Sequence, residues 1–241
     1  MRLTHKGDWP GLITVRQGWA RAEARPWNDE MPDASVRLIR GGAGFLCNVR
    51  DYLNGLAESV LSPPLPEGGT SIWRQAGFSD HLELELYRHN LERAVPEPDH
   101  GISELKDPPW RQAMGVDRAA FDVLWRLGEL GLREAYRAVP RSAFLAIEDS
   151  DGLAGYAIVG ASASLGYLQR IAVDPRAQRN GLGRALLRGS MRYVRAHGGR
   201  SVLLNTQPEN EPASALYESE GFLRDRHPLH ILKASKAEGQ S

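Results

Sequence analysis

Gln178-Arg179-Asn180-Gly181-Leu182-Gly183 sits where a strand hands over to a helix. Just before it, Leu168-Gln169-Arg170-Ile171-Ala172-Val173-Asp174-Pro175 is an apolar run of strand character closed by an Asp-Pro turn signal. Just after it, the residues from Arg184 to Arg195 are apolar at helical spacing. Glycines at 181 and 183 let the backbone approach a ligand closely. The helix behind them offers unpaired N–H groups and the positive end of its dipole. That combination holds a pyrophosphate. A Gly-x-Gly ahead of a helix is weak evidence alone, so the flanking sequence has to carry weight.

Working outward, Asp117 is a candidate N-cap for a long helix that carries Phe121, Leu124, Trp125, Leu127, Leu130, Leu132 and Tyr136 and ends near Pro140. Phe144 to Ile147 reads as a strand, Glu148 to Gly152 as a turn, and Leu153 to Val159 as the returning strand of a hairpin. The strand at 167–173, the glycine loop and a helix to about Ala196 follow, and His197-Gly198-Gly199 stops that helix. Val202 to Leu204 is a strand, Asn210 to Ser219 a short helix, and Phe222 with Leu229 to Leu232 closes with strand character. The order is α, β-hairpin, β, α, β, α, β. This is an α/β (α+β) pattern with a mixed central sheet flanked by helices.

The chain has 241 residues, 41% of them hydrophobic and 25% charged, which suits a globular protein with a real core. Lys plus Arg and Asp plus Glu are 30 each, so the net charge is zero. Nothing in that balance calls for nucleic acid or a membrane as partner. Cys47 is the sole cysteine. No intramolecular disulfide and no Cys/His cluster at zinc spacing is available, so no metal is expected. The first ten residues are polar and lack a signal-peptide core, and no run approaches a membrane span. The expectation is a cytoplasmic protein, monomer or homodimer.

The boundaries read from composition are an N-terminal α/β domain over 1–95, a proline-rich linker over 96–116, the main domain over 117–235 and a polar tail over 236–241. The first block carries a faint repeat of the second. Ser71-Ile-Trp-Arg-Gln-Ala-Gly-Phe78 lies on Ala215-Leu-Tyr-Glu-Ser-Glu-Gly-Phe222, and each precedes a strand-like stretch. The first copy is expected to lack the phosphate-binding glycine loop, and Trp73 stands where the second copy has Tyr217.

Gln178 to Gly183 matches the (Arg/Gln)-x-x-Gly-x-(Gly/Ala) loop of the GNAT acyltransferase superfamily, and the lead-in Ile171-Ala-Val-Asp-Pro175 also resembles that family. Asn210-Glu-Pro-Ala-Ser-Ala-Leu-Tyr-Glu-Ser-Glu-Gly-Phe222 resembles the Asn-x-x-Ala-x-x-Leu-Tyr-x-x-x-Gly-Phe signature of its bacterial protein N-terminal acetyltransferase branch. The resemblance covers roughly 117–234. Read with the faint repeat, it is similar to tandem GNAT proteins with a vestigial first half. It implies the GNAT acyl-CoA N-acyltransferase fold and acetyl-CoA as co-substrate. The acetyl group would pass directly to a primary amine, on a peptide N-terminus or a small molecule.

The resemblance also assigns residues. Backbone of Ile171, Ala172 and Val173 would pair with the pantetheine arm as an added strand does. The loop Gln178, Arg179, Asn180, Gly181, Leu182, Gly183 and Arg184 would cradle the pyrophosphate. Arg179 and Arg184 read equally as solvated arginines. Asn210 would bond the CoA arm, and it reads as a helix N-cap as well. Tyr217 would protonate the leaving thiolate, against the alternative of a tyrosine packed on the sheet.

Many relatives place a glutamate on one of the central strands as general base. Here Tyr167 and Asn205 stand at those positions. A water relay through Tyr167, Gln169 or Asn205 is then the expected route, with His227 and His230 as less favoured helpers. Tyr167, Gln169, Arg170 and Gln207 are the candidate acceptor-binding residues, and only one of Gln169 and Arg170 can face the cleft. The competing reading is a catalytically weak acyl-CoA-binding regulatory protein.

Overall fold

The structure is a computed structural model that describes residues 2–236. In chain order its elements are β1 (Thr4–Lys6), β2 (Ile13–Gln17), β3 (Ala20–Pro26), β4 (Ala34–Arg40), α1 (Ala43–Asn54), β5 (Ser59–Leu61), β6 (Leu65–Pro66), α2 (Glu67–Gln75) and β7 (Ser79–Asn90). Then come β8 (Ser103–Leu105), α3 (Trp110–Ala120), α4 (Glu129–Arg137), β9 (Arg141–Asp149), β10 (Gly152–Ser162), β11 (Leu165–Val173) and α5 (Leu182–Ala196). The chain closes with β12 (Ser201–Thr206), α6 (Glu211–Ser219), β13 (Leu223–Arg224) and β14 (Leu229–Ser235). It divides into two compact units, one of Met1–Leu84 with His227–Ser241, the other Glu85–Arg226.

In the second unit the sheet order is β8-β9-β10-β11-β12, followed by the C-terminal half of β7. Every neighbour is antiparallel except β11 with β12. β10 is buried along nearly its whole length, as expected of a central strand covered on both faces. On one face Leu145, Ala157, Val159 and Leu168 pack under Leu186, Leu187 and Val194 of α5, together with Tyr217 and Phe222. On the other, Phe144, Tyr156, Ile158 and Ala172 pack under Ala113 and Val116 of α3 and Leu132 of α4. Gly166 lets β11 and α5 meet: a Cβ there would lie 2.3 Å from Val194 Cγ2.

The first unit repeats part of this plan. β1 to β4 form an antiparallel meander, and β5 joins β4 in parallel after the crossover through α1. β14 then pairs with β5 and with the first half of β7. The core is built from Ile13, Val15, Ala22, Ala24, Leu46, Val49, Leu53, Trp73 and Leu232. The repeat read from sequence is a repeat of backbone geometry. Phe78 N–H donates to Trp73 O (3.1 Å) and Phe222 N–H to Tyr217 O (3.0 Å). Gly77 has φ +84° and Gly221 has φ +86°. In both copies glycine supplies the left-handed residue that ends the helix.

Several sequence boundaries change. The helix expected from Asp117 to Pro140 is two helices, α3 and α4, split by an irregular stretch with one 3-10 turn at Val123–Trp125. Asp117 lies inside α3 and caps nothing, because a tertiary partner claims its carboxylate. The 96–116 segment is no free linker. It holds β8, paired to β9, and the start of α3 after Pro108-Pro109, where proline suits a helix entry. The 1–95 and 117–235 boundaries move because β14 completes the sheet of the first unit and residues 85–90 complete that of the second. Contrary to the sequence reading, the first copy does have a Gly-x-Gly, Gly42-Ala43-Gly44, where β4 hands over to α1, preceded by Gly41. Phe45 crowds Gly41 alone, where a Cβ would lie 2.7 Å from that ring; at Gly42 and Gly44 a Cβ would meet nothing within 4 Å. Of the expected tail, only Lys236 lies within the described residues.

Candidate active site

β11 and β12 pair at Leu165↔Ser201, Gly166↔Val202 and Tyr167↔Leu203, and there the ladder ends. Yet β11 runs on to Val173 and β12 to Thr206. The two parallel strands therefore part into a wedge beyond Tyr167. β11 stays bonded to β10 throughout, with a register shift that leaves Gln169 unmatched between the Ile158↔Arg170 and Val159↔Leu168 pairs. Asp174 N–H donates to Ala154 O on β10 (2.9 Å). By strand alternation, the N–H and C=O of Val173 point to the opposite edge, into the wedge.

The glycine loop lies at the end of β11. Asp174 caps a short 3-10 turn at Pro175–Ala177, accepting from Arg176 N–H at 3.0 Å. Arg179 and Gly181 have φ of +64° and +84°. α5 then starts with no side-chain cap, so its first-turn N–H groups point outward. A Cβ at Gly183 would meet Leu216 Cδ2 at 3.4 Å and Val173 Cγ2 at 3.9 Å, an ordinary contact. Packing within the chain does not demand glycine at 183. Backbone geometry does at 181.

Tyr217, 4% exposed, hangs from α6 among Tyr87 (ring centroids 5.7 Å) and Phe222 (6.0 Å). Burial pushes its hydroxyl pKa up to about 12, opposed by the nearby Arg170 charge. Asn210 is the N-cap of α6: its Oδ1 accepts from Ala213 N–H at 3.3 Å. Asn205 is exposed at the end of β12, where it pairs with Leu86. Tyr167 marks the last rung before the wedge.

Other expected residues are committed elsewhere. Arg170 turns to the α3 face, where its Nε and Nη2 donate to Asp117 (2.7 and 2.8 Å) and Nη2 also to Trp125 O (2.8 Å). Its guanidinium lies 3.6 Å from the Phe121 ring centroid. Arg170 is thus engaged as a strut on the α3 face rather than free to bind an acceptor. Arg184 pairs with Glu220 (2.8 Å), as Arg188 does (2.7 Å), so neither is a free phosphate ligand. Gln178 Nε2 donates to Val173 O (3.1 Å) and ties the loop to the strand end. Gln207 Oε1 turns toward Thr206 and Asn210 within its own turn. His230 belongs to the other unit, between Glu67 (3.1 Å) and Glu83 (3.5 Å).

Three groups have partners that the sequence did not reveal. Asp117 is fully buried. Glu85, 8% exposed on β7, accepts from Tyr87 Oη (2.9 Å) and pairs with Arg224 (2.7 Å). His100 contacts the glycine loop, and a cavity of about 380 Å³ lies beside it, bounded also by Glu148, Asp149, Arg176 and Asn180. Glu85 holds a polar position in the regular alternation Leu82-Glu83-Leu84-Glu85-Leu86, so nothing in the sequence marks it as buried; His100 gave no local signal either. Among the described residues, no helix is long and apolar enough to cross a membrane.

A family model described as the acetyltransferase (GNAT) family matches residues 108–222. Relatives named mycothiol acetyltransferase include one from Beutenbergia cavernae, 40% identical over 218 residues, covering 90% of this chain and 61% of that protein. One from Rhodococcus erythropolis is 37% identical, with 86% and 77% covered. The chain therefore spans less than two thirds of the first relative and about three quarters of the second. A solved tandem GNAT protein from the clavulanic acid biosynthesis pathway superposes with TM-score 0.62 at 18% identity, covering 95% of this chain and 83% of that one. A GCN5-related N-acetyltransferase from Sphaerobacter thermophilus gives 0.56 at 19%, covering 96% and 82%. The chain belongs to the GNAT acetyltransferase family, with a second, N-terminal GNAT-like half. The family uses acetyl-CoA as acyl donor.

Proposed function

We propose that this chain transfers an acetyl group from acetyl-CoA to the primary amine of a small molecule, of the mycothiol type that its relatives' name states. The observation that carries the reading is the wedge between β11 and β12, where the β11 edge has no strand neighbour and leads to the N-terminus of α5, which has no side-chain cap. Bound there, the thioester supplies an acyl carbon with a thiolate leaving group. The backbone of Ile171 and Val173 would offer strand-like hydrogen bonds to the pantetheine arm, whereas that of Ala172 faces β10. The amides of 179–184 would hold the diphosphate, with Arg179 alongside as a surface charge. Asn210 serves first as the cap that aims α6.

Tyr217 is the proton donor in this reading. Burial keeps its hydroxyl protonated at neutral pH, so it can donate to a nascent anion. Asn205 and Tyr167 line the wedge mouth and would order a water that takes the amine proton. Gln169 at the bulge would bind the acceptor. The missing carboxylate at 167 and 205 is what favours the second reading, a regulator that binds acyl-CoA and turns over weakly.

Tyr217→Phe separates them. Free-thiol release from acetyl-CoA with small amine acceptors should fall on the order of a hundredfold in kcat, while CoA affinity by calorimetry stays near wild type. Undiminished turnover in Tyr217→Phe removes the donor role. No turnover in the wild type with intact CoA binding supports the regulator.

A further inference from the structure

The segment from Arg93 to Ile102 lies before the matched family region, and the side chains of α5 hold it down along that helix. Arg195 Nη1 donates to Arg93 O (3.0 Å) and Arg192 Nη1 to Val95 O (3.2 Å). Arg192 also pairs with Glu97 (3.1 Å), and Arg188 with Asp99 (3.2 Å). Positions 188, 192 and 195 share one face of the helix. Ile102 fits over Gly189, where a Cβ would lie 2.6 Å from Ile102 Cδ1. The strap thus delivers His100 to the glycine loop, where its Nε2 meets Asn180 O at 2.8 Å. A carbonyl oxygen only accepts, so Nε2 carries the hydrogen and donates.

That carbonyl belongs to the peptide linking Asn180 to Gly181. In a trans peptide the C=O and N–H point in opposite directions. Gripping Asn180 O on one side therefore aims Gly181 N–H away from His100. The grip matters because glycine, which allows the loop its φ of +84°, also leaves this peptide plane free to rotate. Arg179, on the other side, is held at φ +64°, a conformation costly for a residue with a side chain. Two residues at positive φ close to one peptide need an external anchor to stay preorganised.

We propose that His100 is a positioning residue for anion binding: it locks the Asn180–Gly181 peptide so that the loop presents its N–H groups to the diphosphate of the donor. The inference rests on the reading of this loop as the diphosphate site. It adds that affinity for the diphosphate is set partly by a strap outside the region that the family model matches.

The test is calorimetry on the full chain with two probes: coenzyme A, and pantetheine, which lacks the diphosphate. His100→Ala should bind CoA about fivefold more weakly, the worth of one intramolecular hydrogen bond, with pantetheine affinity unchanged. His100→Gln, whose Nε2 can replace the imidazole donor, should recover most of the loss. Amide exchange at Gly181, followed by NMR without ligand, should speed up in His100→Ala and not in His100→Gln. Wild-type CoA affinity in His100→Ala overturns the proposal. So does an equal loss for CoA and pantetheine, or a glutamine variant as weak as the alanine one. Absence of CoA binding in the wild type removes the underlying site reading as well, and is distinguishable from the other three.

Discussion

Asp117→Ala removes the acceptor at the centre of a buried cluster. The two carboxylate oxygens take four hydrogen bonds: Arg170 Nε (2.7 Å), Arg170 Nη2 (2.8 Å), Tyr156 Oη (2.6 Å) and Leu127 N–H (2.7 Å). Asp117 is fully buried and the Arg170 side chain is 12% exposed, so truncation strands a cation away from water. Breaking such a pair costs about 3–5 kcal/mol. The Trp125 carbonyl and the Phe121 ring still receive the guanidinium, which places the expected loss near the lower end, about 3 kcal/mol. For a domain of this size that corresponds to a fall in Tm of roughly 6–12 °C.

Thermal and urea denaturation at neutral pH, followed by circular dichroism, measure it. The double variant Asp117→Leu with Arg170→Met should recover most of the loss, because a buried ion pair is seldom better than well-packed apolar side chains. A single variant that melts within a degree of wild type would falsify the claim that the pair holds α3, β11 and the 121–127 turn together. A double variant less stable than the single would show that the charge itself is required.

Gly183→Glu should fold normally yet lose CoA binding by calorimetry, since the site lies at the loop surface and the new charge opposes a phosphate. Gly181→Ala should instead lower Tm, because its φ of +84° suits glycine alone. Titration of the whole chain should return one CoA per chain; two would show that the first unit, with Gly42-Ala43-Gly44 ahead of α1, binds as well. Tyr217 has its pKa raised by burial to about 12, and that of Tyr156 is raised too, first by burial and then by the Asp117 charge. Their protonated forms are favoured by folding, so stability should hold below pH 10 and drain as pH climbs toward 12. Urea midpoints across pH 7–11 test this, and the kcat profile should show no alkaline limb from Tyr217 below pH 10.

What could be read from the chain followed from local periodicity. The hairpin of β9 and β10, the glycine loop, α5 and α6 all carry their signals within a few residues. β1 to β4 did not, because Ala20-Arg-Ala-Glu-Ala-Arg-Pro26 turns small alanines inward, and alanine alternation is a faint β signal. Asp117 satisfied a capping rule, but its partner Arg170 stands 53 residues away. The wedge was invisible too. Nothing in the side chains of 168–173 announces that one edge of their strand loses its neighbour. Which of Gln169 and Arg170 turns to the α3 face was not legible, because a bulge at Gln169 resets which face each residue takes.

The place of β14 has a consequence for how this chain is made. Leu229–Ser235 supplies the strand between β5 and β7, and Ile231 and Leu232 are fully buried in that unit. These residues leave the ribosome after the whole of 85–226. The N-terminal unit, translated first, must wait for its central strand, holding β5 and the start of β7 open along one edge. Domains usually fold in the order of synthesis; here that order is inverted for the last strand. A nascent chain halted before residue 229 should show β7 exchanging rapidly and should depend on chaperones. The exposed edge is the form in which this protein is most prone to pair with the wrong strand.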